Sequence, residues 1–309
     1  MPTQTDTLEQ LPPGARVAII RLRSLGDCVL STPAIHSLKE ARPDLCIGVV
    51  AEDRFAPLYE NNPDIHAILP PRAGALRKFA PELCINLHGG TRSARLTALS
   101  GARIRAAFDI FRPAWVYSIQ IPTAQETLGT SRRVHTAEHM ASAMFYLGVP
   151  IADVPRARLH PAPGASRFAP AGPYAVIHPL AALHEKTWPA ERFRELARHI
   201  EQSMGLEAMF IGGPGEDLST FAPRRTVAGA PLGEILKLMR GAAFFAGNDS
   251  GPAHIAAAFG VPQIVFFGPS DSEVWAPWRT PAEVLKADHI AEISLESALS
   301  AVDRLRVAA

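Results

Sequence analysis

The chain has 309 residues, which favours two domains over one. Hydrophobic residues make up 47% and charged residues 20%, enough apolar material for two cores and too ordered a composition for a disordered chain. A net charge of +1 argues against a general nucleic-acid binder. Three cysteines, Cys28, Cys46 and Cys84, form no CxxC pair, which fits a reducing compartment and no structural zinc. No secretory leader is visible in the polar N-terminal stretch. The longest apolar run, 253–268, is broken by His254, Gly260 and Pro262, so no membrane span is expected. The expected location is the cytoplasm, with peripheral contact at the inner face of the inner membrane.

Taken in chain order, residues 1–14 read as a disordered lead-in. The run 16–22 reads as a buried strand, followed by a loop at 24–27 and a helix over 29–42 that tolerates Pro33 near its start. Strands at 45–52 and 66–69 flank a short helix at 54–61. Further strands are predicted at 83–88 and 104–110, with helices at 91–99 and 136–147. Residues 153–173 carry Pro155, Pro161, Pro163, Pro170 and Pro173 without periodicity and read as a linker. The alternation then restarts: strands at 174–180, 206–212, 243–246 and 263–267, and helices at 190–204, 232–240, 252–259 and 295–307. Near-continuous apolar strands alternating with helices imply parallel sheets covered on both faces. The expected architecture is α/β, with two Rossmann-like doubly wound domains, 15–152 and 174–309. Ligands in such sheets bind beyond the carboxyl ends of the strands, and a central cleft between the halves suits two substrates.

Four loops carry the candidate chemistry. The segment 246–254 joins a buried strand to a helix. Gly251 admits a close ligand and Pro252 suits the first helical turn, so the helix start is a candidate diphosphate site. Asp249 there would meet sugar hydroxyls; alternatively Asp249 or Ser250 only caps the helix. In the loop 178–189, Lys186 either neutralises a phosphate or is a solvated surface charge, and Trp188 reads as a core plug or helix staple. In 212–217, Glu216 either accepts from ribose hydroxyls or caps the next short helix; the dinucleotide glycine pattern is missing. In 23–27, Asp27 is the best-placed carboxylate to act as a base near an attacking hydroxyl, or else it caps the following helix.

Residues 72–133 hold ten basic side chains against Glu82, Asp109 and Glu126, a local excess of +7. That excess is either a solvated basic surface or a site for an anionic acceptor. No two aspartates lie two residues apart, so the metal-binding DxD signature is absent, as are P-loop, HExxH and GxSxG motifs.

The stretches 21–39 (RLRSLGDCVLSTPAIHSLK), 86–108, 177–189, 210–217 and 245–269 (FAGNDSGPAHIAAAFGVPQIVFFGP) together resemble glycosyltransferase family 9, the ADP-heptose:lipopolysaccharide heptosyltransferases. The resemblance implies a GT-B fold, with acceptor in the first half and donor in the second, and inversion at the anomeric carbon with no metal and no cofactor. It implies a catalytic base at Asp27, a donor-phosphate contact at Lys186, a sugar contact at Asp249 and a nucleoside contact at Glu216. The candidate catalytic residues are thus Asp27 and Lys186. Candidate donor contacts are Gly26, His178, Lys186, Gly213, Glu216, Asp249, Ser250, Gly251 and His254. Candidate acceptor contacts are Arg23, Arg92 and Arg95. The expected partners are an ADP-heptose donor and an anionic glycolipid or saccharide acceptor, with no nucleic acid. The loop 180–186 reads LAALHEK and lacks the hydroxyl side chains associated with diphosphate contacts in the family. Competing readings are a nucleotide-sugar epimerase of the same fold and a binding module with a degenerate site.

Overall fold

The computed structural model describes residues 4–181 and 183–308. Residues 1–3 of the expected lead-in, Ala182 of the loop 178–189, and residue 309 lie outside the described residues. The chain divides into two compact units, Met1–His160 and Pro161–Ala309. The division falls inside the proline-rich stretch 153–173.

In the first unit, β1 (Arg16–Ile20), β2 (Cys46–Val50), β3 (Ala67–Leu69), β4 (Leu83–Asn86), β5 (Ile104–Phe108) and β6 (Ile119–Ile121) form one parallel sheet in the order β3-β2-β1-β4-β5-β6. The helices are α1 (Leu25–Ala41), α2 (Ala73–Phe79), α3 (Gly90–Ala98), α4 (Ala124–Leu128) and α5 (Thr136–Tyr146). The second unit repeats the scheme. Its strands are β7 (Tyr174–His178), β8 (Glu207–Gly212), β9 (Thr226–Ala228), β10 (Phe244–Asn248), β11 (Gln263–Phe267) and β12 (Ala282–Lys286), in the order β12-β11-β10-β7-β8-β9. Its helices are α6 (Ala190–Met204), α7 (Leu232–Gly241), α8 (Gly251–Phe259), α9 (Ser272–Trp275) and α10 (Leu295–Ala308).

In each sheet the chain winds outward one way from its first strand and then the other way. The order reverses between β1 and β4, and between β7 and β10. Such switch points leave a crevice beyond the strand ends, which is where doubly wound proteins bind ligands.

Every residue of β7, β10 and β11 is buried, because helices cover both faces of a parallel sheet. Helix α6 presents Phe193, Leu196, Ala197 and Ile200 to the second core, a spacing that makes one apolar stripe. Trp188 plugs that core: its ring stacks on Phe266 at 4.1 Å and meets the edge of Phe193 at 5.0 Å.

Three expectations are corrected. Residues 4–14 are not a disordered lead-in. The Thr5 amide donates to Tyr146 O at 2.9 Å and the Leu8 amide to Leu147 O at 3.1 Å, while Leu8 and Leu11 are buried. The end of α5 leaves carbonyls without helical partners, and this segment satisfies them. Helix α1 begins at Leu25 rather than near 29, so Asp27 sits in its first turn rather than in a loop. Residues 54–61 hold a 3-10 turn, Asp53–Leu58, in place of the expected α-helix.

The buried state of Leu8 makes a test. Leu8→Ala should lower the unfolding free energy by about 2–4 kcal/mol in urea titrations, as for other buried leucines. A loss below about 0.5 kcal/mol, the range of surface substitutions, would show the segment to be undocked in solution.

Candidate active site

Each unit carries a polar cluster at its own switch point. In the first, Arg21, Arg23, Ser24 and Asp27 follow β1, Arg54 and Phe55 follow β2, and His88 follows β4. Together they line a cavity of about 500 Å³. Asp27 is held from two sides: its Oδ1 pairs with the Arg21 guanidinium and its Oδ2 accepts from Ser24 Oγ at 2.8 Å. Arg21 is itself buried, and its Nη1 donates to Leu87 O at 2.5 Å. This carboxylate therefore has a fixed orientation. Arg54 pairs with Glu52 at 3.0 Å, so the guanidiniums of Arg21, Arg23 and Arg54 still outnumber the carboxylates of Asp27 and Glu52 and suit the cavity to an anion. His88 titrates below its ordinary value, first through burial and then through Arg21 and Arg23, so it is neutral near pH 7. Cys28, buried beneath the cluster, is pushed up to about 12 by burial and stays a thiol.

The turn that carries His88 is shaped by Asn86, the last residue of β4. Its Oδ1 accepts from the amides of His88 at 3.0 Å and Gly89 at 3.3 Å, and its Nδ2 donates to Ser93 Oγ and Tyr117 Oη. Gly89 and Gly90 have φ of 72° and 78°, a conformation that glycine adopts without strain.

In the second unit, His178 ends β7 and Asn248 ends β10. His178 Nδ1 lies 3.0 Å from Ser250 Oγ, which donates at 3.0 Å to Asn248 O. Ser250 holds the N-cap position of α8, yet its side chain makes no bond to the helix amides. Asp249 Oδ2 instead pairs with Lys186 Nζ at 3.4 Å. Asn248 is fully buried: its Nδ2 donates to Pro179 O at 2.9 Å and its Oδ1 accepts from the Trp188 amide at 3.0 Å. Those two bonds clamp both ends of the loop 179–188 to the end of β10, which sets Lys186 against Asp249. Gly247 admits the close pairing, since an added Cβ would meet His178 O at 2.9 Å. His254 is buried on α8, its ring 6.3 Å from that of Trp275.

At the end of β8, Glu216 Oε2 accepts from the Gly213 amide at 2.6 Å and closes its own glycine-rich loop. Glu216 does not cap the following 3-10 turn: Leu218 holds its N-cap position, and Asp217 accepts from the Ser219 amide at 2.8 Å.

Among the expected acceptor arginines, only Arg23 lines the Asp27 cavity. Arg92 pairs with Glu52 at 2.7 Å and borders a neighbouring cavity of about 310 Å³ with Arg72, and Arg95 lies exposed one turn further along α3. Gly26 is buried in α1 beside Asp27, within the first unit. Several basic side chains of 72–133 are engaged locally. Arg77 donates to Leu99 O, Arg105 to Val116 O, and Arg132 pairs with Glu138. Sequence reasoning missed Arg21, Arg54, Phe55 and His88. The signal for Arg21 was available, as a charge inside a run that otherwise reads as fully buried.

Two Rossmann-like units, each with a charged cluster at its switch point, define a two-domain enzyme of GT-B architecture. The model of glycosyltransferase family 9 (heptosyltransferase) matches residues 73–300, and the chain belongs to that family. It is a glycosyltransferase, which sets aside the epimerase and binding-module readings. It is 28% identical to lipopolysaccharide heptosyltransferase 3 of Escherichia coli, over 83% of this chain and 84% of that protein. Among solved structures it resembles the family 9 glycosyl transferase of Veillonella parvula, with a TM-score of 0.84 and 22% identity over 99% of this chain and 100% of that one. It also resembles E. coli heptosyltransferase WaaC with ADP, with a TM-score of 0.77 and 19% identity over 94% and 99% of the two chains. No helix among the described residues is long and apolar enough to cross a membrane.

His178 offers a test of the second cluster. Burial pushes it down to about 4, so the unfolded chain, with its histidine near 6.5, takes up the proton first. Its contribution to stability is intact above pH 6.5 and is lost as pH falls towards 4. The full penalty is about 3 kcal/mol. His178→Asn keeps a partner for Ser250 and cannot titrate, so its stability should fall less steeply across that window. Equal slopes for the two proteins would remove His178 as the group responsible.

Proposed function

We propose that this chain transfers a heptose from ADP-heptose to a hydroxyl of an anionic lipopolysaccharide-core acceptor, with inversion and without a metal. The observation that carries the reading is Asp27, a carboxylate oriented by Arg21 and Ser24 in an arginine-walled cavity at the first switch point. Asp27 lies outside the residues matched by the family model, so its role rests on this geometry and on the RLRSLGD motif. The names of the relatives support heptose and ADP: lipopolysaccharide heptosyltransferase 3 of E. coli, and the heptosyltransferase WaaC solved with ADP.

In this reading the guanidiniums of Arg23 and Arg54 hold acceptor phosphate or carboxylate oxygens, and the acceptor hydroxyl lies against Asp27. Asp27 takes the hydroxyl proton as the oxygen attacks the anomeric carbon. The bond from that carbon to the diphosphate breaks on the opposite face, and ADP leaves. Lys186 exchanges Asp249 for the diphosphate, whose growing negative charge it offsets together with the amides of Ser250 and Gly251 at the start of α8. Asp249, released from Lys186, is free to accept from sugar hydroxyls. His178, neutral near pH 7, keeps Ser250 in place without adding a charge.

Two substitutions test these roles. Asp27→Asn should lower turnover by roughly 10²–10⁴-fold, the usual contribution of a general base, while ADP binding persists. Turnover within a factor of about 3 of wild type would end the base assignment. Lys186→Ala should weaken ADP binding by roughly 10–100-fold in calorimetric titration, the worth of one charge-assisted hydrogen bond. Unchanged ADP affinity and unchanged turnover would return Lys186 to a surface charge paired with Asp249.

A further inference from the structure

The crossover between β5 and β6 carries the two most exposed large hydrophobic side chains among the described residues, Trp115 at 78% and Ile110 at 63%. Their exposure is not left over from poor packing. Within the same crossover, Val116, Tyr117 and Phe111 turn inward onto Ala94 and Ala107 and fill a small core. Trp115 lies in the 3-10 turn Ala114–Val116, which packs along α3 and directs the indole outward.

The surroundings are basic. Residues 88–120 hold Arg92, Arg95, Arg103, Arg105 and Arg112 against Asp109 as the one acid. Arg112 is exposed beside Ile110 and donates to Phe111 O at 3.1 Å. Arg92 and Arg95 are exposed three residues apart, on one face of the helix that the Trp115 turn packs against. The crossover also borders the Asp27 cavity. The Phe111 ring covers Gly89, where an added Cβ would lie 3.0 Å from it, and Gly89 follows His88 of the cavity wall.

An exposed indole and an exposed aliphatic side chain amid arginines match the interfacial zone of an anionic bilayer, where indole rings settle at the headgroups and guanidiniums meet lipid phosphates. We propose that Ile110 and Trp115 seat this crossover in the surface of an anionic membrane, with Arg112 and Arg95 against the headgroups. Seated so, the Asp27 cavity opens beside the lipid surface that holds its acceptor. The inference rests on the glycolipid acceptor proposed above.

The test compares wild type with the double variant Ile110→Ser, Trp115→Ser. The first measurement is co-sedimentation with phosphatidylcholine vesicles and with vesicles containing phosphatidylglycerol. The second is turnover on core oligosaccharide freed of its acyl chains. Wild type should sediment with the anionic vesicles and less so at high salt. The variant should partition roughly tenfold or more weakly, with turnover on the soluble acceptor unchanged. Wild type that ignores anionic vesicles, or a variant that binds them equally, would overturn the proposal. So would a variant that loses turnover on the soluble acceptor, since the patch would then act on the site itself. Failure of the transferase reading is read separately, as absence of wild-type turnover on the soluble acceptor.

Discussion

A buried asparagine at the carboxyl end of the fourth strand holds each half of this enzyme in working shape. Asn86 in the first sheet and Asn248 in the second are both fully buried, and both sit beside the strand where the winding reverses. Backbone at a switch point has left the sheet and lost its ladder partners, yet it is too enclosed for water to replace them. A carboxamide supplies a donor and an acceptor in one short side chain, and each asparagine uses both. Asn86 folds the His88–Gly90 turn, and Asn248 ties Pro179 and Trp188 to β10. Without these bonds, buried peptide groups would be left unpaired at about 1–3 kcal/mol each.

The two clusters so positioned are electrostatically distinct. Around Asp27, cations outnumber the carboxylates of Asp27 and Glu52, and Asp27 is oriented by Arg21 and Ser24. Around Ser250, the charges are balanced before ligand arrives: Lys186 is matched by Asp249, and His178 is neutral. A balanced pair is inexpensive to bury partially, and in the proposed reaction it separates when a diphosphate offers Lys186 a stronger partner. Glu216, at the end of β8, is instead held by its own loop, with one oxygen accepting from the Gly213 amide.

Much of the fold was legible because parallel strands announce themselves as apolar runs. Residues 174–178, 207–212 and 263–267 lie within strands predicted from sequence, and α6 matches its predicted range throughout. The misses were the strands β6, β9 and β12 and the short helices α2, α4 and α9. β6 and β9 are three residues long and β12 and α4 five, too short for an apolar run or period to stand out. The Thr123–Glu126 capping box was a readable signal for α4. In the sites, Asp27, Lys186, Asp249 and Ser250 stood out by residue type and motif. The two asparagines did not: a carboxamide at a strand end reads as a turn residue, and its burial becomes visible only once the next strand is in place. Arg21 was hidden for the opposite reason, absorbed into a run read as strand.

The claim on which most depends is that Asn248, which touches no ligand in this account, sets the diphosphate cradle by clamping the loop 179–188. The direct measurement is calorimetric titration of Asn248→Ala with ADP, on protein whose far-ultraviolet circular dichroism matches wild type. The account expects ADP affinity to fall by roughly tenfold or more, although Lys186, Asp249, Ser250 and Gly251 are all still present. Wild-type affinity in that variant would contradict it.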